Sequence, residues 1–94
     1  MLTNGYIKDK VIALLPIDSD MYNTQLDILV GGAISKLLNE GLPNNFNEGD
    51  NNALDYCICV AYQVALDLDL DLDISRLEKQ YITRVNTLRM ALNV

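Results

Sequence analysis

From Ala53 to Leu68 the chain is apolar almost all round. Laid on a 3.6-residue helix, Ala53, Leu54, Cys57, Ile58, Val60, Ala61, Val64, Ala65 and Leu68 share one broad arc. Cys59, Tyr62 and Leu66 fill most of the remainder. Between Asp55 and Asp67 there is no charge, and Gln63 is the only other strongly polar side chain. A helix this apolar is either a core helix or a membrane span, and the run is too short to cross a bilayer comfortably. The pattern predicts the buried central helix of a small all-α, four-helix domain, with residues 1–94 as one unit.

Three further helical patterns surround it. Asn4 to Leu15 places Ile7, Val11, Leu14 and Leu15 at helical spacing, and Pro16 disfavours helix at the residue before it. Ile17-Asp18-Ser19-Asp20 follows as a run of cap residues, with Ile17 and Tyr22 at the positions of a hydrophobic staple if Asp18 is the cap. The second helix is expected from about Asp20 to Glu40, stopping at Gly41 with Pro43 just beyond. Its stripe is Tyr22, Leu26, Leu29, Val30, Ala33, Ile34 and Leu37; the other side carries Ile28, Gly31, Gly32 and Ser35. Two mid-helix glycines cost about 1 kcal/mol each relative to alanine. A patch of small residues admits a close backbone, either a helix of the same chain crossing there or a neighbouring subunit. A kink at the glycine pair is the other structural explanation.

Residues 42–52 read as a loop, with the single phenylalanine, Phe46, in its middle, where anchoring on the core is the expected role. Asp50 or Asn52 then caps the central helix. After that helix comes Leu66-Asp67-Leu68-Asp69-Leu70-Asp71-Leu72-Asp73-Ile74. Strict alternation suggests a strand, but it lies between two helices, has no second strand to pair with, and aspartate disfavours sheet. A short extended or irregular joint is expected. The closing helix begins at Asp73 or Ser75, the latter forming a capping box with Glu78. It runs to about Leu92 with Ile74, Leu77, Tyr81, Val85, Leu88 and Leu92 in one stripe.

Charge changes the picture at the end of the chain. The net charge is −6, but residues 74–94 hold Arg76, Lys79, Arg84 and Arg89 against Glu78 alone, a local +3 beside a −9 body. This balance excludes a basic nucleic-acid footprint and gives no reason to expect an anionic membrane surface as partner. An acidic body with a basic end suits copies meeting head to tail, or two ordinary solvated faces.

Reaction chemistry is not signalled. There is no histidine to serve a serine or cysteine nucleophile, and phosphate-cradling glycine patterns are missing. Cys57 and Cys59 point in different directions on a helix, so neither a redox pair nor a zinc chelate is expected of them. They read as inert buried thiols. Met1 to Lys10 lacks the apolar region of a signal peptide. No catalytic residue and no cofactor are expected. One metal pattern does stand out: Asp67, Asp69, Asp71, Asp73, Ser75 and Glu78 fall at the calcium-ligand spacing of an EF-hand loop, with Ile74 as its usual apolar residue. Against it, Leu72 occupies the position that needs glycine for a positive φ.

Taken together, the features make up a recognisable layout: a short first helix; the break Leu15-Pro16-Ile17-Asp18-Ser19-Asp20; a long helix through Leu26-Asp27-Ile28-Leu29 to Ala33 and Leu37; a polar loop; an alanine-rich third helix; and an amphipathic end, Leu88-Arg89-Met90-Ala91-Leu92. This layout, over most of the chain, resembles the small helical head–tail connector proteins of tailed bacteriophages, the adaptors beneath the portal. The resemblance implies a homo-oligomeric ring of about twelve subunits at the virion head–tail interface, made in the host cytoplasm. Its partners would be the portal and a stopper or tail-completion protein. DNA would slide through an acidic lumen without specific binding. Gly31, Gly32, Ser35, Arg76, Lys79, Arg84 and Arg89 are the expected subunit-interface residues. The alternative is a small helical calcium-binding or other protein-interaction module.

Overall fold

The structure, a computed structural model, describes residues 2–15, 19–68 and 74–92. It is all-α: α1 (Asn4–Leu14), α2 (Ser19–Asn39), α3 (Asn51–Leu68) and α4 (Ile74–Ala91), with no strand among the described residues. The four-helix expectation and its element boundaries hold to within a residue or two.

α1 starts where Thr3, in extended backbone, accepts a hydrogen bond from the Tyr6 N–H at 3.1 Å on its side-chain oxygen. It ends at Leu15, which is extended (φ −117°, ψ 146°), as a residue before proline should be. The end of α2 is a Schellman motif. Leu42 N–H donates to the Leu37 carbonyl at 2.9 Å and Gly41 N–H to Leu38 at 3.0 Å, with Gly41 at φ +86°. Leu37 and Leu42 are both fully buried, which supplies the apolar contact this cap uses. At the start of α3, the Asp50 carbonyl accepts from Ala53 and Leu54.

α3 is the centre of the molecule. It packs against all three other helices; α1 and α2 also touch each other, whereas α4 meets no helix but α3. The reason lies in its side chains: Ala53, Tyr56, Cys57, Cys59, Val60, Ala61, Val64 and Ala65 are buried, leaving only a narrow strip for water. Leu26, Val30, Ala33 and Leu37 of α2, Ile7 and Val11 of α1, and Val85 and Leu88 of α4 close on it. Tyr81 and Leu92 pack at the margin.

The loop between α2 and α3 is tied down at three points. Leu2 and Asn44 clasp each other: Leu2 N–H donates to the Asn44 carbonyl (3.0 Å), and Asn44 Nδ2 donates to the Leu2 carbonyl (2.9 Å). Gly49 N–H donates to the Tyr6 hydroxyl at 3.2 Å. Phe46 is buried with its ring 5.9 Å from that of Tyr56, the anchoring role expected of it.

Some local expectations are corrected. No heavy atom lies within 4 Å of a Cβ placed on Gly31 or Gly32, so no described helix of the same chain makes a close crossing there. Ser75 lies inside the first turn of α4, not at its cap, so the Ser75–Glu78 capping box does not form. Leu14, Leu54 and Leu66 are each more than two-fifths exposed, because the core closes on one side of each helix and leaves the flank open. The Asp18 cap with its Ile17–Tyr22 staple and the joint at 69–73 lie outside the described residues, as do the side chains of Ile74 and Leu77.

Candidate functional site

The chemically distinctive part of the fold is the seam between α3 and α4. Asp55, Cys59 and Gln63 stand four residues apart, so a single face of α3 presents all three. Each is buried. Asp55 accepts a hydrogen bond from Arg84 Nη1 at 3.0 Å; its side chain is 8% exposed against 40% for Arg84. Further along, Gln63 Nε2 approaches the Tyr81 hydroxyl at 3.4 Å, a long contact, and that hydroxyl donates to Glu40 Oε2 at 3.1 Å. The Tyr81 ring lies 4.5 Å from the Tyr62 ring. A polar thread thus runs from the end of α2 through α4 to the middle of α3.

The thread holds and orients; it does not activate. Burial pushes the Cys57 thiol up to about 11 and the Cys59 thiol up to about 12, with the Asp55 carboxylate adding to the effect at Cys59. Burial likewise raises Tyr56 to about 12 and moves Tyr81 upward. The Tyr56 hydroxyl has no hydrogen-bond partner among the described residues. At neutral pH both thiols carry their protons, and a thiol is a poor nucleophile.

These acids release protons less readily folded than unfolded, so the folded state binds more protons above the unfolded pKa values. Their contribution is therefore fully present below about pH 9 and is lost as pH rises toward 12. A melting temperature flat from pH 6 to 8.5 and falling above 9, with a shallower fall in a C57A/C59A variant, is the expected result. A thiol reagent is expected to leave both cysteines unmodified in the native protein and to modify both in denaturant. Fast native labelling would show that the thiols are not shielded as the fold places them.

The residues singled out by sequence fall into three groups. Arg84 turns inward to Asp55 and has its partner in its own chain. Gly31, Gly32 and Ser35 lie on the outer side of α2, and Arg76, Lys79 and Arg89 are exposed on α4. Asp67 is exposed on the last turn of α3 and Glu78 on α4, while Asp69, Asp71 and Asp73 lie outside the described residues. No group of three potential metal-binding side chains occurs among the described residues, and no described helix is long and apolar enough to cross a membrane. Pattern-based expectation passed over Asp55, Gln63 and Tyr81. For Asp55 and Gln63 the signal was present in their eight-residue spacing, two helical turns, on an otherwise apolar helix.

Fold and seam together define a small all-α domain whose last helix is latched to a central one by an ion pair between a buried carboxylate and a partly exposed guanidinium. Compared with protein-family models, with curated proteins and with solved structures, the chain matches none.

Proposed function

We propose that this chain is a virion structural protein, a head–tail connector whose copies form a ring that extends the DNA channel between portal and tail. The observation that carries this role is the division of charge: an acidic body, −9 over residues 1–73, beside a basic last helix. In a closed ring of identical subunits each copy presents one surface to the next and a different surface to the one before. A chain with opposite charge on its two parts suits that arrangement. The net acidity suits a lumen through which phosphates pass without sticking. The element order supports the same role: a short α1, a long α2, a buried α3 and an amphipathic α4. Seam chemistry supports it negatively, since shielded thiols and a paired carboxylate suit a scaffold.

Native mass spectrometry across protein concentration, in EDTA and then in calcium, tests this role. A closed multi-subunit oligomer unaffected by EDTA, ring-shaped by electron microscopy, is the expected result. One calcium bound per chain with a change of state on chelation would instead assign Asp67 to Glu78 as the functional segment. Open, unclosed chains of subunits would also count against a ring.

A further inference from the structure

Among the described residues seven large apolar side chains are notably exposed, and the four exposed by more than half fall into two pairs. Ile28 (69%) and Leu38 (57%) stand on the outer side of α2; Ile82 (52%) and Met90 (81%) stand on the outer side of α4. The backbones of α2 and α4 do not approach each other, and the Tyr81–Glu40 hydrogen bond joins them on the inward side, so these outer faces are two separate surfaces. Within each pair the residues lie ten and eight positions apart, about 15 Å and 12 Å along a helix. The two surfaces are of similar length.

Their charges differ. On α4 Asn86 and Arg89 lie between the pair and Lys79 precedes it by one turn, all exposed, with Glu78 at the edge. Such a face repels a copy of itself, which disfavours a two-fold contact of α4 on α4. On α2 the pair is flanked by Asp27, which is 62% exposed and already holds Lys8 at 2.8 Å, and by Lys36 on the other edge. Between Ile28 and Leu38 the outer positions are Gly31, Gly32 and Ser35, with open space above both glycines. The α2 face is thus nearly uncharged, apolar at both ends and low in the middle. Ile82 and Met90 are the most exposed large apolar side chains of α4 among the described residues.

We infer that the outer face of α4 docks on the outer face of α2 of a second copy of this chain, a head-to-tail contact built on Ile82 and Met90 against Ile28 and Leu38. Lys79 and Arg89 reach toward the acidic body of the neighbour. The contact depends on the ring role for its closure, and not for its existence. Arg84 has no part in it, because its guanidinium is committed to Asp55.

Two variants test it. One carries K79E, I82Q, R89E and M90Q, and the other I28Q and L38Q; all six positions are exposed, so circular dichroism should match the parent. Each variant alone is expected to weaken self-association by roughly 100-fold, the scale of a lost interface centre. Mixed one to one, they are expected to form a heterodimer and nothing larger, since the pair retains one intact α4 face and one intact α2 face. Variants that still form the parent's rings would overturn this contact and leave the ring standing. Parent chains that join into open, variant-sensitive strings would support the contact and overturn the ring. A parent that stays monomeric at every concentration would overturn the contact.

Discussion

Truncating Arg84 to alanine is expected to destabilise the protein by about 2–4 kcal/mol, because it leaves the Asp55 carboxylate buried without its counter-charge. The partial exposure of Arg84 lets water take up some of the loss, which keeps the figure below that of a fully buried pair. Chemical denaturation of R84A, D55N and the double variant measures the coupling; an interaction of about 1–3 kcal/mol is expected for groups in direct contact. Replacing both groups by apolar residues, as in D55L with R84M, should recover much of the stability, since the pair then needs no desolvation. A cost for R84A below about 0.5 kcal/mol, typical of surface positions, would show that the seam is wet. The same geometry affects any assembly experiment. Reversing charge at Arg84 would unlatch α4, whereas Lys79 and Arg89 report on contacts between molecules.

Phe46→Ala is the second large effect, about 2–4 kcal/mol by the usual cost of removing a buried aromatic, discounted for a loop's freedom to collapse. Phe46 is the only large apolar side chain that residues 43–50 place in the core, and its ring meets that of Tyr56. Without it, the loop keeps the Leu2–Asn44 clasp and the Tyr6–Gly49 hydrogen bond but loses its apolar anchor. A lowered denaturation midpoint and faster proteolysis between residues 42 and 50 should appear together. Unchanged proteolysis would mean that the backbone bonds alone hold the segment.

Much of the architecture was legible in the residues because each signal is local. The apolar run at 53–68 could only be satisfied by burial on nearly every side, and α3 is the helix that all others touch. Pro16 after Leu15 and Gly41 after α2 set helix ends through backbone sterics that need no tertiary partner. Phe46 in a polar loop pointed to anchoring for the same kind of reason: a lone large apolar side chain gains by leaving water.

The seam was less legible. Asp55 marked the edge of an uncharged run, and nothing in the spacing along one helix states which residue of another will meet it. Arg84, grouped with Arg76, Lys79 and Arg89 by charge, differs from them only because α4 lies on α3 at a rotation that turns it inward. The glycine pair shows the converse. Small residues allow a close approach without saying what approaches, and the space above them is open.

By itself, then, the sequence determined the helical content, the helix ends, the identity of the central helix and the imbalance of charge. These depend on periodicity, on backbone restrictions and on counting. Only the tertiary structure decided that α4 packs on α3 and on no other helix, that Asp55 holds Arg84, and that the most exposed apolar side chains among the described residues form two separate faces. Those facts depend on the rotation and position of one helix relative to another, which the summed packing of the whole core sets and no single segment encodes.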